Sequence, residues 1–128
     1  ERVLTVELND ETVAYTYTVL EDKNVANDLV GGESIVVFWA EGTASALDEG
    51  SIASGRDVGA AVAYASGGKN FLVDNSLIKD EETSSTWNIF GEAIDGELKG
   101  ESLSPVVSVN HFWFSWAAFK PETRIYQP

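Results

Sequence analysis

Apolar and polar positions along this chain follow the period of strands more often than that of helices. Arg2 to Glu7 sets Val3 and Thr5 against Leu4 and Val6, and Thr12 to Leu20 is dense in Val, Tyr and Thr. Both segments read as strands, joined as a hairpin across Asn9-Asp10-Glu11. Asn24 to Val30 reads as a short helical turn with Asn24 as its N-cap, closed by Gly31-Gly32. Ser34 to Trp39 is a continuous apolar run, the pattern of a central strand covered on both faces. Glu41 to Gly55 reads as a loop with one helical turn. Val58 to Ala65 and Asn70 to Val73 flank the Gly67-Gly68 turn as strands, followed by Leu77-Ile78 and Ser85 to Phe90. Glycines 91, 96 and 100 divide the next stretch into tight turns, and Leu103 to Val109 is a strand interrupted by Pro105, which points to an edge or a bend. From His111 to about Phe119 a helix capped by Asn110 would gather Phe112, Trp113, Trp116 and Phe119 on one face, with Pro121 ending it. A strand would instead align Phe112, Phe114 and Trp116; the helix is the favoured reading.

These elements sum to an α+β domain, predominantly antiparallel β, with one or two short helices. At 128 residues the chain fits a single domain over 1–128. That is long enough to fold around its own core without metal or disulfide staples. No run of about 18 apolar residues occurs, so direct membrane insertion by a helix is not expected. No signal peptide is expected either. Methionine is absent even at position 1, and the chain is read as an excised piece of a longer protein.

Cysteine is absent, which removes disulfides, thiolate metal sites and cysteine nucleophiles. Twenty-one acidic residues against eight basic ones leave a net charge of −13. Nucleic acid is therefore not an expected partner, because phosphate binding needs clustered Lys and Arg. The acid excess reads as a solubility or salt-adaptation feature in preference to a cation site.

The densest pattern lies between Asp80 and Thr123. Asp80, Thr83, Ser85 and Trp87 form D-x-x-T-x-S-x-W, and Gly91, Ala93, Gly96, Leu98 and Gly100 form G-x-A-x-x-G-x-L-x-G. Upstream stand Val13-Ala14-Tyr15 and the turn Asn27-Asp28 with Gly31-Gly32; downstream stand Trp113, Trp116 and Pro121-Glu122-Thr123. In this order the pieces resemble a prokaryotic family, domain of unknown function family 3179, over about residues 11 to 126. Many members carry C-P-L-C after the central strand; here those cysteine positions hold Ala40 and Thr43. The chain thus resembles a cysteine-free branch, and no cysteine-dependent activity carries over. The resemblance implies an exported or cell-surface location.

Candidate chemistry is sparse. His111, the only histidine, offers a general base or a capping side chain at a helix start. Trp87, Trp113 and Trp116 offer a stacking wall for sugars or cations, or core packing. Asp80-Glu81-Glu82 and Asp95-Gly96-Glu97 lack the spacing of a calcium loop and read as solvated turns, so no metal or cofactor is expected. Within its motif Asp80 has the position to fix an Asx-type turn with Thr83 and Ser85. Carboxylate pairs such as Asp80 with Glu92, or Asp95 with Glu97, suit glycoside hydrolysis in type, without known separation. The expected function is a non-enzymatic module that binds a protein or a small polar ligand. The alternative is a carboxylate-based hydrolase, with His111 or Asp80 near a Trp-lined cleft.

Overall fold

The computed structural model describes residues 2–40, 60–112 and 123–128, and only the backbone at positions 40, 60 and 110–112. Strand β1 (Arg2–Leu8) turns through Asn9 and Asp10, both at positive φ, into β2 (Glu11–Thr16), with Leu8 opposite Glu11. A two-residue turn of this kind matches the twist of the strands it joins. A seven-residue helix α1 (Tyr17–Lys23) leads to the hairpin β3 (Val25–Val30) and β4 (Glu33–Ala40). After it come β5 (Ala60–Ala65), β6 (Phe71–Asp74), β7 (Leu77–Asp80), β8 (Thr86–Trp87) and β9 (Ala93–Asp95). The last strands are β10 (Ser104–Pro105), β11 (Ser108–Phe112) and β12 (Arg124–Ile125).

Three four-stranded sheets result, ordered β11-β1-β2-β12, β10-β5-β4-β3 and β6-β7-β8-β9. All pairings are antiparallel except β12 against β2. The described residues are thus strand-rich with one short helix, and α1 forms no layer of its own that would justify the α of an α+β label.

The second sheet is the middle layer, and its central strand shows why. Ile35, Val37 and Trp39 of β4 join a cluster with Leu4, Val6, Val13, Tyr15 and Leu20, against the first sheet and the helix. The intervening Val36 and Phe38 point the other way, into a cluster with Tyr64, Phe71, Trp87 and Ala93 against the third sheet. The unbroken apolar run at 35–39 is the signature of a strand sealed on both faces. Each such side chain contributes roughly 1.5–3 kcal/mol by burial.

Several sequence expectations require correction. Tyr17 to Leu20 does not extend the second strand. Thr16 ends β2 and caps the helix, its Oγ1 accepting from the Val19 amide at 3.4 Å. A helix this short is not stable alone, and it is held by buried Leu20 and by the edge-on packing of Tyr17 on Trp39 at 4.8 Å. Asn24 is not an N-cap: it adopts φ 68 and closes α1, its amide donating to Leu20 O at 2.7 Å. The following Val25–Val30 is a strand, not a helical turn. Ser85 to Phe90 shrinks to Thr86–Trp87, and the stretch from Leu103 splits at Pro105. Pro105 itself sits on the edge strand β10, where its missing N–H costs no ladder bond. Asn110 does not cap a helix; Asn110, His111 and Phe112 pair with Leu4, Val3 and Arg2 as the end of β11. The expected loop from Glu41 and the helix beyond Phe112 lie outside the described residues.

Candidate functional site

The D-x-x-T-x-S-x-W residues form one buried hydrogen-bonded knot. Asp80 ends β7 and is 1% exposed. Its carboxylate accepts from the Thr83 amide at 2.8 Å, the Thr83 hydroxyl at 2.8 Å and the Trp87 indole N–H at 2.9 Å. Thr83 Oγ1 meets Ser85 Oγ at 2.7 Å, and Ser85 Oγ in turn accepts from the Leu98 amide at 2.9 Å. Burial pushes the Asp80 carboxyl upward, but the bonds from Trp87 and Thr83 outweigh it and hold the group below its ordinary value. Asp80 is therefore an ionised anchor whose oxygens are occupied.

Two glycines of the second motif permit close approaches, Gly96 to this knot and Gly91 to the Tyr64 ring. A Cβ at Gly96 would stand 2.7 Å from Ser85 Cα, and one at Gly91 would stand 2.8 Å from the Tyr64 ring. Only glycine fits such approaches, and both positions also have φ near +90°.

The middle and third sheets meet along a seam between β3 and β6, clamped by a single side chain. The Asn27 amide donates to Phe71 O at 2.8 Å and accepts from the Phe71 amide at 2.9 Å, standing in for a neighbouring strand. A chain of aromatic contacts backs the clamp: Tyr64 to Phe38 at 5.5 Å, Phe38 to Phe71 at 5.3 Å, Phe71 to Trp87 at 5.5 Å.

On either side of the clamp the seam opens. One opening is a cleft of about 540 Å³ lined by Asn24, Trp39, Val73, Ser76, Leu77, Ile78, Trp87, Asn88 and Ile89. No lining side chain is charged. Asn88 is engaged locally, its Oδ1 accepting from the Phe90 and Glu92 amides and its Nδ2 donating to Glu92. Trp39 is 4% exposed and its Nε1 has no acceptor among the described residues. An indole N–H can only donate, and leaving one buried and unmet costs roughly 1–3 kcal/mol. The other opening, about 240 Å³, lies beyond Asn27 toward Gly68, Lys69 and Asn70.

A second polar cluster ties the C-terminal strand down. Asp28 Oδ2 accepts from Tyr15 at 2.8 Å and pairs with Arg124 at 3.2 Å, while Arg124 also reaches Glu11 at 2.9 Å and Leu29 O at 3.0 Å. Glu11 Oε1 takes the Gly31 amide at 2.8 Å. That amide and Arg124 hold Glu11 below the usual carboxylate range. Burial first, and Asp28 second, push the Tyr15 hydroxyl far above its ordinary value. Every strong acceptor in this cluster is engaged within the fold.

Of the residues singled out in sequence, Trp87 both fills the core, at 3% exposure, and shows part of its surface to the cleft. Asp80 fixes Trp87 from behind and does not line the cleft. The backbone of His111 lies in β11 opposite Val3; its side chain, Trp113 and Trp116 lie outside the described residues. Sequence reasoning missed Trp39 and Asn24. Trp39 was absorbed into an apolar strand, and nothing local marks an N–H that finds no partner. Among the described residues no cluster of three or more His, Asp or Glu side chains has metal-binding geometry.

These features define a strand-rich, cysteine-free fold whose motif residues build turns and whose openings lie at a sheet seam. The chain belongs to the family described as protein of unknown function (DUF3179), whose model matches residues 1–123. Neither a curated protein nor a solved structure matches it.

Proposed function

We propose that this chain is a non-enzymatic binding module that takes a small, uncharged, partly apolar ligand in the cleft between Trp39 and Trp87. The observation that carries the reading is the lining itself. In a chain of net charge −13 the cleft has no charged side chain, and it is lined by Trp39, whose buried Nε1 has no acceptor among the described residues. An apolar wall with a few unmet polar groups is the ordinary make-up of a small-molecule site. A neutral ligand carrying hydroxyl or carbonyl oxygens, such as a sugar ring, supplies an acceptor for Trp39 and lies against the apolar wall of Val73, Leu77 and Ile78. An exported or surface-associated location belongs to the same reading and rests on the family resemblance.

Titrating the protein with neutral mono- and disaccharides while following tryptophan emission tests this. A saturable change is expected, weakened by Trp39→Phe and insensitive to salt, since no charge pair is involved. Failure of every neutral ligand to saturate, or an undiminished response in Trp39→Phe, would overturn it. The hydrolase alternative loses Asp80, whose oxygens are taken by Trp87 and Thr83.

A further inference from the structure

The opening at the far end of the β3–β6 seam has a different chemistry. It is lined by Asn27, Asp28, Leu29, Ser34, Ile35, Ser66, Gly68, Lys69 and Asn70. Two of its acceptor side chains, Asn27 and Asp28, are engaged within the fold. The Asn27 amide is consumed by Phe71, Asp28 Oδ1 takes the Leu29 amide, and Asp28 Oδ2 takes Tyr15 and Arg124. Lys69, half-buried, has no ion pair among the described residues despite the acid excess of the chain. Its ammonium curls back over the Gly67-Gly68 turn, where a Cβ at Gly67 would stand 3.7 Å from Nζ. Ser66 is 1% exposed, held through backbone bonds to Ser34 at 3.0 Å and Lys69 at 3.2 Å, and its hydroxyl has no partner among the described residues. The side chains of Ser34 and Asn70 likewise have no partner among the described residues.

From the uncommitted Lys69 ammonium and Ser66 hydroxyl we infer that the groove is a second binding site, for a compact oxyanion group (carboxylate or phosphate), with Lys69 and Ser66 as its principal donors. Lysine can only donate, and charge-assisted bonds to an anion are the strongest such contacts. Glu82 leans on the Asn70 amide at 3.4 Å and is not paired with Lys69 among the described residues. Asp28, the carboxylate of the lining, is paired with Arg124 at 3.2 Å, and more distant charge is screened beyond about 8–10 Å at ordinary salt. Lys69 is the charged donor of the lining that no carboxylate pairs among the described residues. Its volume suits a group of a few heavy atoms.

The test is a titration of isotope-labelled protein with sodium phosphate and, separately, sodium acetate at constant ionic strength, followed by amide chemical shifts. Saturable shifts at Ser66, Gly67, Gly68, Lys69 and Asn70 are expected, and the anion that saturates at lower concentration identifies the source. Lys69→Met should weaken binding by about tenfold or more, as expected for loss of a charge-assisted bond. Ser66→Ala should weaken it several-fold and Trp39→Phe should leave it unchanged. Because Lys69 is a partly exposed turn residue its variant keeps the fold, which the same spectra verify; Lys69→Gln serves as a second variant. Shifts that stay linear up to about 50 mM of both anions, or that are equal in Lys69→Met, overturn the proposal.

Discussion

The indole N–H of Trp87 donates to Asp80 Oδ1 across 2.9 Å, and both side chains are buried. A carboxylate that deep in a fold is held there only because every oxygen is met. Asp80→Ala strips the acceptor from Trp87 and from the Thr83 amide at once. The expected loss is about 3 kcal/mol, from leaving buried donors unmet, read as a lower midpoint in urea.

The same carboxylate makes stability depend on acid. Its folded pKa lies below the ordinary value of 3.8, so its contribution is complete above that value and is lost as pH falls through the lower folded value. Asp80→Asn should flatten the acid limb of a stability profile measured below about pH 4. An unchanged acid limb would show that other carboxylates govern it.

At the alkaline end the four tyrosines act in concert. Tyr15, Tyr17, Tyr64 and Tyr126 are all held above the ordinary value of 10.0, in each case chiefly by burial. The unfolded chain releases these protons first, so stability falls as pH rises above that value. Phenolate absorbance in the native protein should be displaced above the ordinary value, with the Tyr15 share appearing only on alkaline unfolding. Phenolate formation at the ordinary value in a still-folded protein would contradict the packing of Tyr15 against Asp28.

Asn27 is expected to be more sensitive to charge than to truncation. Asn27→Ala removes two bonds to Phe71 and should cost about 2 kcal/mol. Asn27→Asp places a carboxylate oxygen against Phe71 O and should cost more near neutrality, with part of the loss recovered in acid when the group protonates. A denaturation series at pH 7 and pH 4 separates the two.

Gly96→Ala combines strain at φ +96 with contact on Ser85 Cα, backbone that cannot swing aside. A loss of about 3 kcal/mol is expected from the two effects together. Gly100→Ala, at φ +99 but in open space, should show the strain alone and lose less. Equal losses in the two melts would remove Ser85 from the account.

How far the chain could be read from its sequence depended on where each residue's partner sits. The run at 35–39 announces a doubly covered strand because its pattern is local. Asp80, Thr83, Ser85 and Trp87 also interact within a few residues, so their turn was legible from spacing. Strand β3 was not. Its polar centre, Asn27 and Asp28, looks like a break in a strand, yet these side chains bond to Phe71, Tyr15 and Arg124, all distant in the chain except Tyr15. Helix α1 hid behind residues of high strand propensity, and the cap at Thr16 with the packing of Leu20 overrode them. The family resemblance was legible because it rests on ordered short motifs. The Trp39 cleft was not, since it exists only where two sheets fail to close.

Pro105 pairs with Tyr64 and Ser104 with Ala65, so the chain returns to the middle sheet on the rung from which it departed. Everything between, including the whole third sheet, is joined to the middle sheet by those pairings, the Asn27 clamp, the Tyr64 hydroxyl bond to Ile89 O at 2.8 Å and the apolar cluster around Phe38. Such an appendage has its own breaking point. Amides of β6 to β9 should therefore exchange with solvent through a partial opening that leaves β1, β2 and β4 protected, giving the molecule two tiers of stability. Both clefts sit at the hinge line of that opening, where a bound molecule would hold the tiers together.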